Sequence, residues 1–208
     1  MIISHKHKFI YVKLAKVAGT STEYFLEPFC GPNDVVTPCW PVESETHMPR
    51  NFEKFVSNNK GAGHLHLSQL FKDETLYNKC KDYRFVANHR NSWDRVASKY
   101  GLAFYRNETQ ADFTSWLRNI PKGTASILDA TEYKGKCLIT DWIDFNQINN
   151  DLVKFCQSLK IDCSDTNLPH TKNSHKKHYT EYYDEETKEI VAKRFARDIE
   201  YFGYKFGE

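Results

Sequence analysis

The chain lacks any long apolar run and carries almost no net charge. No stretch of its 208 residues approaches the roughly 18 uninterrupted apolar residues that indicate a membrane span. The amino-terminal segment also has no apolar run typical of a signal peptide. With 29 basic and 27 acidic side chains, the formal net charge is +2, which argues against binding nucleic acid or a membrane surface by bulk electrostatics. We therefore expect a cytoplasmic protein with neither nucleic acid nor a membrane as partner. If it binds an anion, we expect a local site to hold it.

The sequence also lacks C-x-x-C spacing, although it contains six cysteines. A chain of this length, with 40% hydrophobic residues, can enclose a core without disulfides. We expect reduced thiols, and a bridge between Cys30 and Cys39 stays open as an alternative. The length favours a single domain over residues 1–208.

Strand-like and helix-like segments alternate in the first half of the chain. Phe9 to Leu14 favours a strand, which leads through small residues to a helical pattern over Thr22 to Phe29. Tyr83 to Ala87 favours a second strand, and the apolar residues from Trp93 to Tyr100 then follow helical spacing. The segment from Gly31 to Arg50 holds four prolines, which indicates a long irregular connection between these two units.

The same alternation continues in the second half. Lys136 to Thr140 offers a third strand, and Leu152 to Leu159 has helical spacing. Asp184 can cap a last helix that ends near Gly203. Strands alternating with helices predict an α/β fold in three layers, with a mostly parallel sheet flanked by helices on both faces.

Small and hydroxyl-bearing residues follow the first predicted strand. The stretch K-L-A-K-V-A-G-T-S-T over residues 13–22 lies where strand gives way to helix, so backbone N–H groups and the helix dipole converge on an anion there. The lysine precedes the glycine, which differs from a Walker A loop. The alternative is an ordinary turn with a solvated lysine. The predicted anion-binding residues are Lys16, Ala18, Gly19, Thr20, Ser21 and Thr22.

A second basic segment follows the second predicted strand. Arg90 stands at the strand end, and Ser98 lies about two helical turns further on, so both can converge on one phosphate. The planar guanidinium gives paired, charge-assisted hydrogen bonds to phosphate oxygens. For Arg90 taken alone, the alternative is a surface ion pair.

Two histidines, His64 and His66, lie between the two anion motifs. Histidine is the side chain best suited to take a proton from a hydroxyl near neutral pH. Both are therefore candidate catalytic bases, and a structural role is the alternative for each.

The two anion motifs together resemble those of sulfotransferases that use 3′-phosphoadenosine 5′-phosphosulfate (PAPS). Residues 15–21, A-K-V-A-G-T-S, are similar to the family's 5′-phosphosulfate loop, P-K-T-G-G-T-S. Residues 90–100, R-N-S-W-D-R-V-A-S-K-Y, are similar to its 3′-phosphate motif, R-[ND]-P-x-x-R-x-x-S-x-Y, with Ser92 in place of the proline. The motifs also follow the family's order along the chain.

The resemblance implies a P-loop-NTPase-like sulfotransferase fold, PAPS as the donor, 3′,5′-bisphosphoadenosine (PAP) as the product, and no metal. By this likeness, Lys16 stabilises the leaving phosphate oxygen during in-line displacement at sulfur. Arg90 and Ser98 would hold the 3′-phosphate, and Arg95 would be structural. Gly63-His64 is similar to the Gly-His of the uronosyl 2-O-sulfotransferases, which favours His64 over His66 as the base.

The resemblance extends to a late loop that closes over the cofactor, within residues 168–179. Its expected cofactor-binding residues here are Asn173, Ser174, Lys176 and Lys177. The acceptor would be a hydroxyl compound, with a glycan favoured by likeness and a tyrosine or small metabolite left open. The alternatives are a nucleotide or nucleoside kinase of related architecture, or a non-catalytic module that binds an adenosine phosphate or a sulfated glycan.

Overall fold

The computed structural model describes residues 1–39, 47–55, 63–119, 125–169 and 177–208. Its contacts divide the chain into two compact units. The first unit comprises Met1–His89 and Ala130–Thr171, and the second comprises Arg90–Asp129 and Lys172–Glu208. A single domain over the whole chain stays a prediction.

Short strands and helices alternate along the described residues. The strands are β1 (Ile2–Ser4), β2 (Phe9–Val12), β3 (Val35–Val36), β4 (Arg84–His89), β5 (Glu132–Tyr133), β6 (Lys136–Cys137) and β7 (Asp141–Asp144). The helices are α1 (Gly19–Leu26), α2 (Leu67–Leu70), α3 (Glu74–Cys80), α4 (Ser92–Tyr105), α5 (Phe113–Arg118), α6 (Ile127–Thr131), α7 (Ile148–Ser158), α8 (Glu185–Arg194) and α9 (Ala196–Phe202).

The first unit is built on a five-stranded sheet with the order β3-β1-β2-β4-β7. Strand β1 pairs antiparallel with β2 and β3, whereas β2 pairs parallel with β4 and β4 pairs parallel with β7. Four of the five strands therefore run in one direction. The predicted α/β class with a mostly parallel sheet is confirmed.

Helices pack on both faces of this sheet. On one face, an apolar core joins strand residues such as Tyr11 and Val86 to Phe25 of α1 and Phe155 of α7. On the opposite face, Phe85 makes an edge-on ring contact at 5.9 Å with Phe71, the residue that follows α2. This is the predicted three-layer arrangement.

The second unit has a separate, largely aromatic core. Trp93, Val96 and Ala97 on α4 pack with residues of α5, α8 and the segment that precedes α8. The hydroxyl of Tyr183 donates to the carbonyl of Trp93 at 2.7 Å, and Trp93 Nε1 donates to the carbonyl of Lys188 at 3.0 Å. The predicted helical face from Trp93 onward is therefore confirmed as a buried packing surface.

The third strand was assigned to the wrong segment by the sequence pattern. Residues 136–140 contribute only β6, which pairs with β5 in a separate two-stranded hairpin. The strand that extends the main sheet is β7, four residues later, because Thr140 N donates to the Phe85 carbonyl and brings the following residues alongside β4. The pattern also missed β1 and β3, which have three and two residues.

The last helix also differs from its prediction. Asp184 caps α8 by accepting from Thr187 N at 2.8 Å, and Gly203 ends α9 in the left-handed conformation, both as expected. Phe195, with a φ of −114°, interrupts the helix between α8 and α9. The six cysteines are free thiols, so the alternative bridge between Cys30 and Cys39 is absent.

None of the helices in the described ranges is long and apolar enough to cross a membrane. A cytoplasmic location stays a prediction.

Asp198 should be important for the stability of the second unit. Its fully buried carboxylate accepts from Ser126 Oγ at 2.6 Å and Ile127 N at 2.8 Å, and it lies 3.6 Å from Arg95 Nη1. Removing one partner of a buried charge pair typically lowers stability by about 3–5 kcal/mol. We expect Asp198→Ala to lower the free energy of unfolding by roughly that amount in urea titrations. Exposed Asp165→Ala is the control, and equal stabilities of the two variants would contradict the role of Asp198.

Candidate active site

The loop between β2 and α1 has the geometry of an anion cradle. Lys16 and Ala18 adopt the left-handed conformation, with φ angles of 65° and 62°. Helix α1 then starts at Gly19, and its first intrahelical hydrogen bond runs from Thr22 N to the carbonyl of Ala18 at 3.1 Å. The start of a helix favours a negative ligand. Phosphate binding by this turn stays a prediction.

Gly19 allows this loop to pack closely on the end of β2. A Cβ at this position would lie 3.0 Å from the carbonyl oxygen of Leu14 and 3.0 Å from Cγ of Lys13. Both distances are shorter than ordinary van der Waals contacts, and one of them involves backbone. Glycine is required here for the close approach of two backbone segments.

Asn88 anchors the loop from the neighbouring strand. Its side chain is fully buried at the carboxyl end of β4, and Nδ2 donates to the carbonyl of Val17 at 2.9 Å and to Thr22 Oγ1 at 2.8 Å. Because β4 pairs parallel with β2, its end lies beside the loop that follows β2. One amide thus holds the turn and the first turn of α1 together.

A buried ion pair lies behind the loop. Lys13 Nζ donates to Glu23 on α1 and lies 3.0 Å from Cys39 Sγ, which in turn contacts the Glu23 carboxylate at 2.9 Å. Burial alone would raise the pKa of Glu23, but the ammonium groups of Met1 and Lys13 lower it to about 2. Glu23 is therefore ionised at neutral pH, and the pair connects the end of β2 to α1.

The ring of His64 contacts the backbone of Lys13. Its Nδ1 lies 3.2 Å from the carbonyl oxygen of Lys13, and the side chain keeps an exposed surface. The surrounding protein removes water from part of the ring, and the charges of Lys13 and the Met1 amino group act in the same direction, so the pKa of His64 is lowered to about 4. The ring is therefore neutral at physiological pH and can be reached from solvent.

His66 occupies a different position, at the start of α2. Its backbone N–H donates to Gln69 Oε1 at 3.0 Å, and its carbonyl accepts the first hydrogen bonds of the helix. These contacts give His66 a role in starting the helix. The choice of His64 over His66 as the base stays a prediction.

The second anion motif lies in the second unit. Arg90 is 8% exposed, and its Nε and Nη2 donate to the two carboxylate oxygens of Asp94 at 2.6 and 2.8 Å. A phosphate that contacts Arg90 must share the guanidinium with Asp94 or displace its carboxylate. Ser98 is buried on α4, two turns beyond Asn91, whose side chain caps that helix.

Arg95 has the contacts of a structural residue. Its Nη2 donates to the carbonyl of Ala125 at 2.6 Å, and Nη1 lies 3.6 Å from Asp198. The side chain is buried and the guanidinium packs over the Phe195 ring at 5.7 Å. These contacts fit the structural role expected for Arg95.

Only one residue predicted in the late loop lies within the described chain. Lys177 Nζ donates to the carbonyl of Glu181 at 2.9 Å and lies over the Tyr182 ring at 4.3 Å. Asn173, Ser174 and Lys176 lie outside the described residues. Their predicted role at the cofactor stays a prediction.

A cluster of three or more histidine, cysteine or acidic side chains suited to a metal ion is absent from the residues that the structure describes. The expectation that no metal is needed stays a prediction.

Sequence reasoning missed three residues that support the site, namely Lys13, Glu23 and Asn88. A charged residue directly after an apolar strand and an amide at the end of F-V-A-N were the available signals. Neither signal shows which residue the side chain contacts, because the contacting residues are brought together by the sheet and by α1.

No family model and no curated protein matches the chain. Among solved structures, a sulfotransferase from Alicyclobacillus acidocaldarius is similar to it, with 14% identity and a TM-score of 0.47. The alignment covers 93% of this chain and 92% of that chain. Values this low carry no functional conclusion, so the function proposed below depends on the residues of the site.

Asn88→Ala should loosen the anion-binding loop. The substitution leaves the Val17 carbonyl and the Thr22 hydroxyl without their shared donor, and a buried unsatisfied group typically lowers stability by about 1–3 kcal/mol. We expect a lower free energy of unfolding in urea and weaker binding of PAP by calorimetry. Exposed Asn78→Ala on α3 is the matched control. Wild-type affinity in Asn88→Ala would show that Asn88 does not hold the loop.

Proposed function

We propose that this chain is a sulfotransferase that moves the sulfuryl group of PAPS to a hydroxyl acceptor. The observation that carries the proposal is the combination, within the first unit, of an anion-binding loop and a neutral histidine that both depend on Lys13. The loop supplies backbone N–H groups and Lys16, and the histidine is exposed and able to take a proton. In-line group transfer needs these two functions.

Each residue has a separate task in the proposed reaction. The start of α1 and the loop bind the 5′-phosphosulfate, and Lys16 stabilises the negative charge that grows on the departing phosphate oxygen. His64 takes the proton of the acceptor hydroxyl as its oxygen attacks sulfur. The binding of the 3′-phosphate by Arg90 and Ser98 stays a prediction from the sequence motif.

For the acceptor we propose only the chemical class, a hydroxyl compound. A glycan is favoured by the family likeness. An acceptor screen with sulfur-labelled PAPS tests this. Sulfated glycan as the main product supports the choice, whereas sulfated tyrosine or a small metabolite replaces it.

Lys16→Ala should lower turnover by at least about a hundredfold, because loss of one charge-stabilising donor typically costs about 2.7–4 kcal/mol in the transition state. The measurement is kcat for transfer of labelled sulfate from PAPS. Lys72→Ala, an exposed lysine of the same unit, is the control. Normal turnover of Lys16→Ala with PAPS would contradict the role given to Lys16.

Ligand binding should separate the proposed function from its alternatives. We expect PAP to raise the thermal unfolding midpoint, because a ligand that binds only the folded state stabilises it in proportion to its affinity. ATP with Mg²⁺ should raise the midpoint less. The reverse order would favour a kinase, and a PAP-induced shift without transfer of labelled sulfate to any acceptor would favour a non-catalytic binding module.

A further inference from the structure

The backbone of Lys13 fixes which nitrogen of His64 carries the proton. A carbonyl oxygen only accepts hydrogen bonds, so the contact of 3.2 Å between Nδ1 and the Lys13 oxygen requires a proton on Nδ1. In the neutral ring, Nε2 then holds the lone pair. This leaves Nε2 as the atom that can accept a proton from a substrate.

Gly63 is closely packed beside this contact. A Cβ at Gly63 would lie 3.2 Å from Thr37 Oγ1, 3.3 Å from the carbonyl oxygen of Pro38 and 3.5 Å from Cδ of Lys13. The residue before His64 is therefore packed directly against the Lys13 side chain and the segment around Thr37. A side chain at this position would crowd Thr37 and the Pro38 carbonyl, so these neighbours or the segment that carries His64 would have to shift.

The charges around His64 favour its neutral form. Removal of water from the ring lowers its pKa the most, and the ammonium groups of Lys13 and Met1 lower it further. The hydrogen bond to the Lys13 carbonyl and the carboxylate of Glu23 raise it by smaller amounts. Glu23 also holds Lys13 in its charged form, because its charge raises the pKa of Lys13 against the effect of burial. The net effect is a ring that stays unprotonated until the pH is well below 6.5.

We propose that Lys13 is the positioning residue of the catalytic base: its carbonyl sets the tautomer and direction of His64, and its side chain, held by Glu23, packs beside the residue that precedes the histidine. The inference rests on the proposed function, because it assigns the base of that reaction. Lys13 contacts neither substrate nor cofactor in this role. It acts through His64 and through the loop that begins beside it.

The chemical step is balanced with these groups. The acceptor oxygen forms a bond to sulfur while the bond between sulfur and the bridging phosphate oxygen of PAPS breaks. The electron pair of that bond remains on the phosphate of PAP. The hydroxyl proton moves to Nε2 of His64 and is then released to solvent.

The first test measures the protonation of His64 by NMR, independently of catalysis. We expect the wild-type ring to carry its proton on Nδ1 and to titrate below 6.5. In Lys13→Met the backbone carbonyl remains but the charge is lost, so the pKa of His64 should rise. Lys13→Arg should keep the low value. An unchanged pKa in Lys13→Met, or a ring protonated on Nε2, would overturn the proposal.

A matched control removes the same charge elsewhere. Lys160 is exposed and follows α7. The last residue of α7, Ser158, contacts Arg84 at the start of β4. Lys160 therefore lies at the end of the parallel strands opposite to the loop. Lys160→Met should leave the titration of His64 unchanged. If Lys13→Met fails to fold, Lys13→Met/Glu23→Gln decides the question. It removes both charges of the pair, and the ring pKa should still rise because Lys13 affects it more than Glu23 does.

The second test uses catalysis. The acidic limb of kcat/KM against pH reports the base in the free enzyme, and it should move upward in Lys13→Met in step with the NMR value. Gly63→Ala should lower kcat, because the added Cβ would crowd Thr37 and the Pro38 carbonyl next to His64, with unchanged affinity for PAP. Wild-type kcat in Gly63→Ala would overturn the positioning role.

The proposed function and the proposed role of Lys13 can be disproved separately. If the wild-type protein transfers no sulfate from PAPS, the proposed function is wrong even when the NMR titrations behave as expected. If sulfate is transferred but the acidic limb does not respond to Lys13→Met, the function stands and the role of Lys13 is wrong.

Discussion

The buried ion pair between Lys13 and Glu23 determines how the first unit is assembled around its loop. Lys13 directly follows β2, and Glu23 lies in the second turn of α1. The loop of residues 14–18 must therefore span a fixed distance. Breaking a buried pair leaves an uncompensated charge, so the fold gains stability only when β2, the loop and α1 have their native arrangement. The shape of the loop follows from this constraint.

The same pair has an electrostatic effect beyond stability. It places a charged ammonium group in the unit that also holds the histidine and the loop proposed to bind an anion. A strongly lowered pKa keeps the ring unprotonated, but it also makes the ring a weaker base than one with a pKa near the working pH. A bound phosphosulfate carries negative charge that opposes the effect of Lys13. The base would then become stronger when the donor is present, which links proton transfer to occupancy of the loop.

Local patterns in the sequence predicted the main elements of the fold. Strand β2, strand β4 and helix α4 were found because apolar residues there follow the period of one element over at least four residues. Strands β1 and β3 are too short to show a period, and they form because β1 pairs with β2 and β3 pairs with β1. Segment 136–140 has a strand-like composition, but hydrogen bonds from the rest of the sheet assign the strand to β7.

The candidate site was predictable in its residue types and not in its connections. Lys16, Gly19 and His64 were predicted because phosphate binding and proton transfer demand particular side chains, and their roles stay predictions. Lys13 and Asn88 were missed because their functions come from partners distant in sequence, at Glu23, His64 and Val17. Likewise, the sequence identified Arg90 as a cation, but its bidentate contact with Asp94 depends on how α4 begins.

The left-handed conformation of Ala18 has a consequence for ligand affinity. In the folded state, the left-handed conformation with a φ of 62° has a conformational free energy about 1–2 kcal/mol higher for an alanine than for a glycine. In exchange, the alanine has far fewer backbone conformations to explore than a glycine. The turn is thus stiff before any ligand arrives, and an anion that enters it loses little binding free energy to ordering the chain. If the turn binds an anion as proposed, the cost in stability at Ala18 is offset by a smaller cost of ordering the chain on binding.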